Sequence, residues 1–258
     1  MTSAYQPSGN ELHQFSVAYA ARVPVMLTGP TGCGKTRLVE HMAATLGRPL
    51  ITVTCHDDLT TADLLGRFLV QGGEVRWIDG PLTQAVRQGA VCYLDEVIEA
   101  RRDTLAALHS LGDHRRTLYL DRIGEEVAAP GEFMLVSSYN PRARGALKEL
   151  KPSFRQRFVT IALDYVPADV EARVVADETG VPAAVATRLV RYATAMRSCA
   201  DATLGEAPST RSLVTTAALI ARGLDESEAI DIGLLAPLSP SQPIEDALRE
   251  LIDAGADG

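Results

Sequence analysis

Five short apolar runs divide the first 164 residues: 23–27 (VPVML), 49–54 (PLITVT), 90–94 (AVCYL), 133–138 (FMLVSS) and 158–163 (FVTIAL). Each is dominated by apolar residues and reads as a buried strand, which implies a parallel sheet covered on both faces by helices. A helix is expected from Lys35 to about Leu46, with Leu38, Val39, Met42 and Leu46 on one face and Gly47 ending it. Two segments interrupt this alternation. Residues 67–79 carry strand-like runs around Gly72-Gly73, and residues 116–127 carry another pair turning near Arg122 to Gly124. Both read as β-hairpins. After Asp164 the texture becomes helical, in segments 167–180, 182–200, 209–223 and 243–255 broken by Gly and Pro. The expected fold class is α/β: a five-stranded parallel sheet with helices on both faces and two hairpin insertions over residues 1–164, then a small all-helical domain over 165–258.

Composition changes this picture little. The chain has 258 residues, 46% hydrophobic and 22% charged, as soluble globular domains do. Cys33, Cys55, Cys92 and Cys199 show no CxxC spacing, and the five histidines no HExxH, so reduced thiols and no metal cage are expected. The N-terminus lacks the basic start and apolar stretch of a signal peptide, and no apolar run reaches membrane-spanning length. A cytoplasmic protein without membrane insertion is expected. The net charge of −8 argues against broad nucleic-acid binding.

The chemistry begins at residues 29–36, GPTGCGKT, which fit GxxxxGK[ST] between an expected strand and an expected helix. The glycines let backbone N–H groups turn inward around an anion, and the helix N-terminus adds its dipole. Lys35 reaches β- and γ-phosphates, and the Thr36 hydroxyl ligates Mg²⁺. The expected ATP-binding residues are Gly29, Pro30, Thr31, Gly32, Cys33, Gly34, Lys35, Thr36 and Arg37. At residues 91–96 an apolar strand ends in Asp95-Glu96. Asp95 is expected in the Mg²⁺ shell with Thr36, and Glu96 at the attacking water.

Other residues have a functional and a plainer reading side by side. Asn140, before Pro141, either positions the lytic water or starts a turn. Arg155 and Arg157, before the fifth run, either contact a γ-phosphate from a neighbouring subunit or lie in a solvated basic turn. Arg211 follows a helix cap at Ser209 or Thr210, where a cation opposes the helix dipole; an anionic partner would offset that cost. Arg142, Arg144, Lys148, Lys151, Arg155 and Arg157 form a basic cluster with few aromatics, better suited to a subunit interface than to nucleic acid. Cys33 is either a small tolerated side chain or a thiol that makes ATP binding oxidation-sensitive.

With these residues in place, the chain resembles the AAA+ ATPases, and the two hairpins look like insertions of their MoxR branch. More narrowly, GPTGCGKTRLVEHMA, HDDLTTADLLGRFL, DGPLTQAVRQGAVCYLDEV, EARRDT and LKPSFRQRF are similar to the CbbQ/NirQ/NorQ family. The similarity covers nearly the whole chain and is densest from Val23 to Val159. It implies Asn140 as sensor 1, Arg211 as sensor 2, and Arg157, with Arg155 as second choice, as the arginine finger. It also implies a homo-oligomeric, usually hexameric, ring acting with a von Willebrand factor A-domain partner on a client metalloenzyme, either Rubisco or nitric oxide reductase. The chain departs from the family pattern at Arg142-Ala143-Arg144-Gly145 and at Phe154. A P-loop kinase or small-molecule ATPase without a protein client is the alternative. No NKxD sequence supports a GTPase.

Overall fold

The computed structural model describes residues 5–141, 150–203 and 207–238. In chain order the first part holds α1 (Glu11–Ala20), β1 (Val25–Thr28), α2 (Lys35–Thr45), β2 (Leu50–Thr54), α3 (Thr61–Leu65), β3 (Gly66–Gln71), β4 (Glu74–Asp79), α4 (Pro81–Gln88) and β5 (Val91–Asp95). It continues with α5 (Arg102–Ala106), β6 (Thr117–Leu120), β7 (Glu125–Ala128), β8 (Met134–Tyr139), α6 (Pro152–Arg155) and β9 (Val159–Ala162). By its contacts the chain divides after Leu163 into two compact units, with loop residues Pro30–Gly34 grouped with the second.

The first unit is built on a five-stranded parallel sheet of order β2-β5-β8-β1-β9. From β1 the chain crosses three places to β2 through α2, then returns through α3, α4 and α5 to β5 and β8. Right-handed crossovers running in opposite directions lie on opposite faces, so helices cover both sides of the sheet. The inner strands are dry: Val91 to Leu94 and Met134 to Ser138 are buried throughout. The edge strands are not. In β2, which its composition marked as a buried strand, only Val53 is fully buried, and in β9 only Ile161. Apolar content reports a strand, but its place at an edge is set by topology.

The hairpins form as the Gly72-Gly73 and Asp121–Gly124 turns suggest, with Val70 opposite Val75 and Leu118 opposite Val127. Helix α1 carries no sequence signal strong enough to announce it. Asn10 makes no side-chain cap, and only Glu11, Phe15 and Ala18 are buried.

The second unit contains α7 (Ala168–Thr179), α8 (Ala183–Thr203), α9 (Thr210–Ile220) and α10 (Glu226–Ile230), which runs into a π-helical turn over Asp231–Leu235. Gly180 ends α7 in the left-handed region, φ 76°. Val175, Leu189, Ala193, Met196, Leu213, Ala217 and Leu234 form its core. The helical pattern at 243–255 and the basic residues Arg142, Arg144 and Lys148 lie outside the described residues.

Candidate functional site

The sheet register brings the phosphate loop and the acidic pair to one edge. Thr28, which ends β1, is level with Tyr139, which ends β8; Thr54 is level with Asp95, and Leu94 with Ser137. Asp95-Glu96, Asn140 and Gly29 therefore lie in that order along the carboxyl ends of β5, β8 and β1. Parallel sheets bind ligands at that edge.

The loop from Gly29 to Gly34 links β1 to α2. Gly32 (φ 71°) and Gly34 (φ 100°) occupy backbone conformations that a side chain strains. Lys35 opens α2, is buried, and donates from Nζ to the Gly29 carbonyl at 2.9 Å. The ammonium thus folds back across the loop mouth. Pro30, Thr31, Cys33, Thr36 and Arg37 complete the segment, and Cys33 is buried and in no disulfide.

At the end of β5 lies a network of hydroxyls. Tyr93 Oη donates to Asp95 Oδ1 at 2.7 Å, and Ser138 Oγ donates to the same oxygen at 2.5 Å. Thr36 Oγ1 lies 3.4 Å from Tyr93 Oη, and the Glu96 backbone N–H donates to Ser138 Oγ at 3.2 Å. The Thr36 hydroxyl and the Asp95 carboxyl are thus joined through one phenol. Such hard oxygen donors fit a magnesium ion held partly by a substrate's phosphates. Among the described residues no three His, Cys, Asp or Glu form a self-sufficient cage.

Glu96 has φ 52° and ψ 47°, a left-handed conformation rare outside glycine. Burial pushes its carboxyl above the usual range; Asp95 and Glu99 add to the shift and Lys35 opposes it. Burial, with Asp95 and Glu96 nearby, also pushes the Cys55 thiol up to about 12, so it is inert as a nucleophile. Asn140 is half-buried just past β8.

Arg157 lies elsewhere. It precedes Val159, which pairs with Val25 at the start of β1. That is the amino edge of the sheet, opposite the edge where the phosphate loop leaves β1. Its guanidinium is held in cis, Nε donating to the His109 carbonyl at 3.3 Å and Nη1 to the Ser153 carbonyl. Arg155, at the end of α6, is exposed. In the second unit Ser209 caps α9 through a capping box with Ser212, which puts Arg211, itself exposed, in the first turn.

Motif reading passed over Tyr93 and Ser138. A strand-position signal was available for both. Tyr93 and Asp95 are two apart on β5 and so share a face, and Ser138 lies near the end of the adjacent β8.

The family model of the AAA domain (dynein-related subfamily) matches residues 24–158, and that of the CbbQ/NirQ/NorQ C-terminal region matches residues 171–255. Protein NorQ of Paracoccus denitrificans is 51% identical over 97% of this chain and 93% of its own. Denitrification regulatory protein NirQ of Pseudomonas aeruginosa is 50% identical over 98% and 97%. Among solved structures, NtrX of Brucella abortus superposes with a TM-score of 0.58 at 19% identity, covering 98% of this chain and 61% of that one, a likeness of fold alone. No helix among the described residues is long and apolar enough to cross a membrane. Both family models and the full-length relatives agree: the chain belongs to the CbbQ/NirQ/NorQ family of MoxR-type AAA+ ATPases.

Proposed function

We propose that this ATPase works in the cytoplasm as a homo-oligomeric, hexameric ring whose hydrolysis activates or remodels a client metalloenzyme, together with a von Willebrand factor A-domain partner. The observation that carries the ring is the place of Arg157. It stands at the opposite sheet edge from its own phosphate loop, so a γ-phosphate contact is made in the neighbouring subunit's site.

In this reading residues 1–164 form the nucleotide-binding domain and 165–258 the lid. The inward N–H groups of Gly29, Thr31, Gly32, Cys33 and Gly34 hold the phosphates, with Pro30 shaping the loop, Lys35 on the β- and γ-oxygens and Arg37 close behind. Magnesium supplies charge neutralisation at those oxygens. Thr36 and Asp95 would hold it. Glu96 accepts the proton of the attacking water, and its raised pKa suits a base. Asn140 orients that water. Arg211 contacts the nucleotide from the lid, and Arg157, or Arg155 in its place, stabilises the charge that develops on the transferring phosphoryl group.

The test is substrate trapping. Glu96→Gln binds ATP without turning it over, so with ATP it should retain a metalloenzyme and a von Willebrand factor A-domain protein through purification. With ADP both are lost. Equal recovery of both in either nucleotide would refute a client cycle driven by hydrolysis.

A further inference from the structure

Ser138 Oγ contacts both members of the acidic pair at once. It donates to the Asp95 carboxyl at 2.5 Å and accepts the Glu96 backbone N–H at 3.2 Å. The side chain is fully buried, as is Tyr93. Tyr93 Oη lies 3.0 Å from Ser138 Oγ and 2.7 Å from Asp95 Oδ1. Each hydroxyl owns a single proton. Ser138 and Tyr93 both direct theirs at Asp95 Oδ1. That leaves the Ser138 oxygen to receive Glu96 N–H and the Tyr93 oxygen to receive the Thr36 hydroxyl proton. Each hydroxyl proton then has an acceptor, and the 3.0 Å contact between Tyr93 Oη and Ser138 Oγ is the alternative place for the Tyr93 proton.

Two consequences follow from this accounting. First, Asp95 is held by hydroxyls from its own strand and from β8, so its rotamer is set before any ion arrives. Second, the left-handed backbone at Glu96 costs free energy, and such conformations persist only where the surroundings over-determine them. The Ser138 hydroxyl supplies one such restraint, from a neighbouring strand.

We propose that Ser138 is a positioning residue that fixes both Asp95 and Glu96, and that Tyr93 is its counterpart, fixing Asp95 to Thr36. This rests on the reading of Asp95 as the magnesium-shell residue and Glu96 as the base. Asn140 follows the end of β8, two residues beyond Ser138, so one strand end leads to both the sensor and the acidic pair.

The proposal separates two measurable quantities. Ser138 touches both acidic residues, whereas Tyr93 touches only the magnesium side. Full-length Ser138→Ala, Ser138→Cys, Tyr93→Phe and Asp95→Asn are titrated with MgCl₂ in the presence of a fluorescent ADP analogue, and ATP turnover is measured at saturating Mg²⁺. Ser138→Cys keeps the side-chain shape with a larger atom and replaces the hydroxyl by a weak donor and acceptor, so the test survives a poorly folding alanine variant.

Both Ser138 variants should bind the analogue without Mg²⁺ within about twofold of the native protein, yet need about tenfold more Mg²⁺ for half-maximal effect. Their kcat should stay down about tenfold even at saturating Mg²⁺, because Glu96 has lost its restraint. Tyr93→Phe should raise the Mg²⁺ requirement alone. A native Mg²⁺ requirement in both Ser138 variants overturns the proposal, and so does a kcat that excess Mg²⁺ restores in full. If Asp95→Asn leaves the Mg²⁺ requirement unchanged, the underlying reading of Asp95 fails, whatever Ser138 does.

Discussion

Arg197 and Glu171 meet fork to fork inside the second unit, with Nη1 and Nη2 each 2.8 Å from a separate carboxylate oxygen. The side chains are only 14% and 1% exposed. Their remaining valences are also used. Arg197 Nε donates to the Pro208 carbonyl at 2.8 Å, Thr210 Oγ1 donates to Glu171 at 2.6 Å, and the Tyr165 ring lies 3.6 Å from the guanidinium carbon. The pair therefore ties α7 and α8 to the entry of α9, where Arg211 sits. Removing one partner strands the other charge, so Glu171→Ala or Arg197→Ala should destabilise this unit by about 3–5 kcal/mol. Replacing both by apolar residues should cost far less. Denaturant midpoints of the three variants measure the difference, and equal losses for single and double variants would contradict it.

Glu96 makes a pH prediction. Burial raises its pKa in the fold above the unfolded value. A carboxyl of this kind favours folding while protonated. Its contribution is fully present below the unfolded pKa and lost as pH rises through the raised native value. Glu96→Gln removes the neutral-pH penalty, so its Tm should exceed the native Tm at pH 7.5, with the gap closing as pH falls towards 4. Turnover should drop about 10²-fold or more in the same variant. In the native protein the acid limb of kcat should lie above the ordinary glutamate range. A Tm difference constant across pH would show that the carboxyl is not penalised.

How far this could be read from the chain differs by residue. Lys35, Asp95 and Glu96 announce themselves, because each lies in a short local pattern whose chemistry is fixed by spacing. Tyr93 and Ser138 do not. Tyrosine in an apolar run reads as packing, and only the register that sets Leu94 beside Ser137 puts Ser138 next to Asp95. Burial of β2 was over-read for a similar reason: LITVT resembles an inner strand, but the order β2-β5-β8-β1-β9 leaves it at an edge. Where Arg157 stands relative to the phosphate loop is likewise not written in its own neighbours; the Val25–Val159 pairing is what places it at the amino edge.

Gly233 lies in the π-helical turn against α9. A Cβ at this position would press into Thr216 Oγ1 and come 3.2 Å from Thr216 Cβ. Thr216 is fully buried, so it has nowhere to yield. Gly233→Ala should destabilise the helical unit by about 1–3 kcal/mol. Adding Thr216→Ala should recover most of it, since that substitution clears the space. A double variant no more stable than Gly233→Ala would place the strain elsewhere.

Arg157 gives the sharpest test of a shared site. Its guanidinium bonds to the His109 and Ser153 carbonyls, and its Cβ would lie 3.2 Å from a methyl at Gly112, so it is seated firmly at the amino edge. Arg157→Ala should still bind ATP but lose about 10³-fold in turnover. Lys35→Ala should lose binding. Each variant alone is then inactive for a different reason. Arg157→Ala keeps an intact phosphate loop, and Lys35→Ala keeps an intact arginine. Mixed and reassembled, the two should regain ATPase activity wherever an intact loop faces an intact Arg157. A finger acting in cis predicts no recovery at any ratio, since no single chain then carries both groups. Arg155→Ala, changing an exposed side chain, should leave turnover near native; if it abolishes turnover while Arg157→Ala does not, the finger is Arg155.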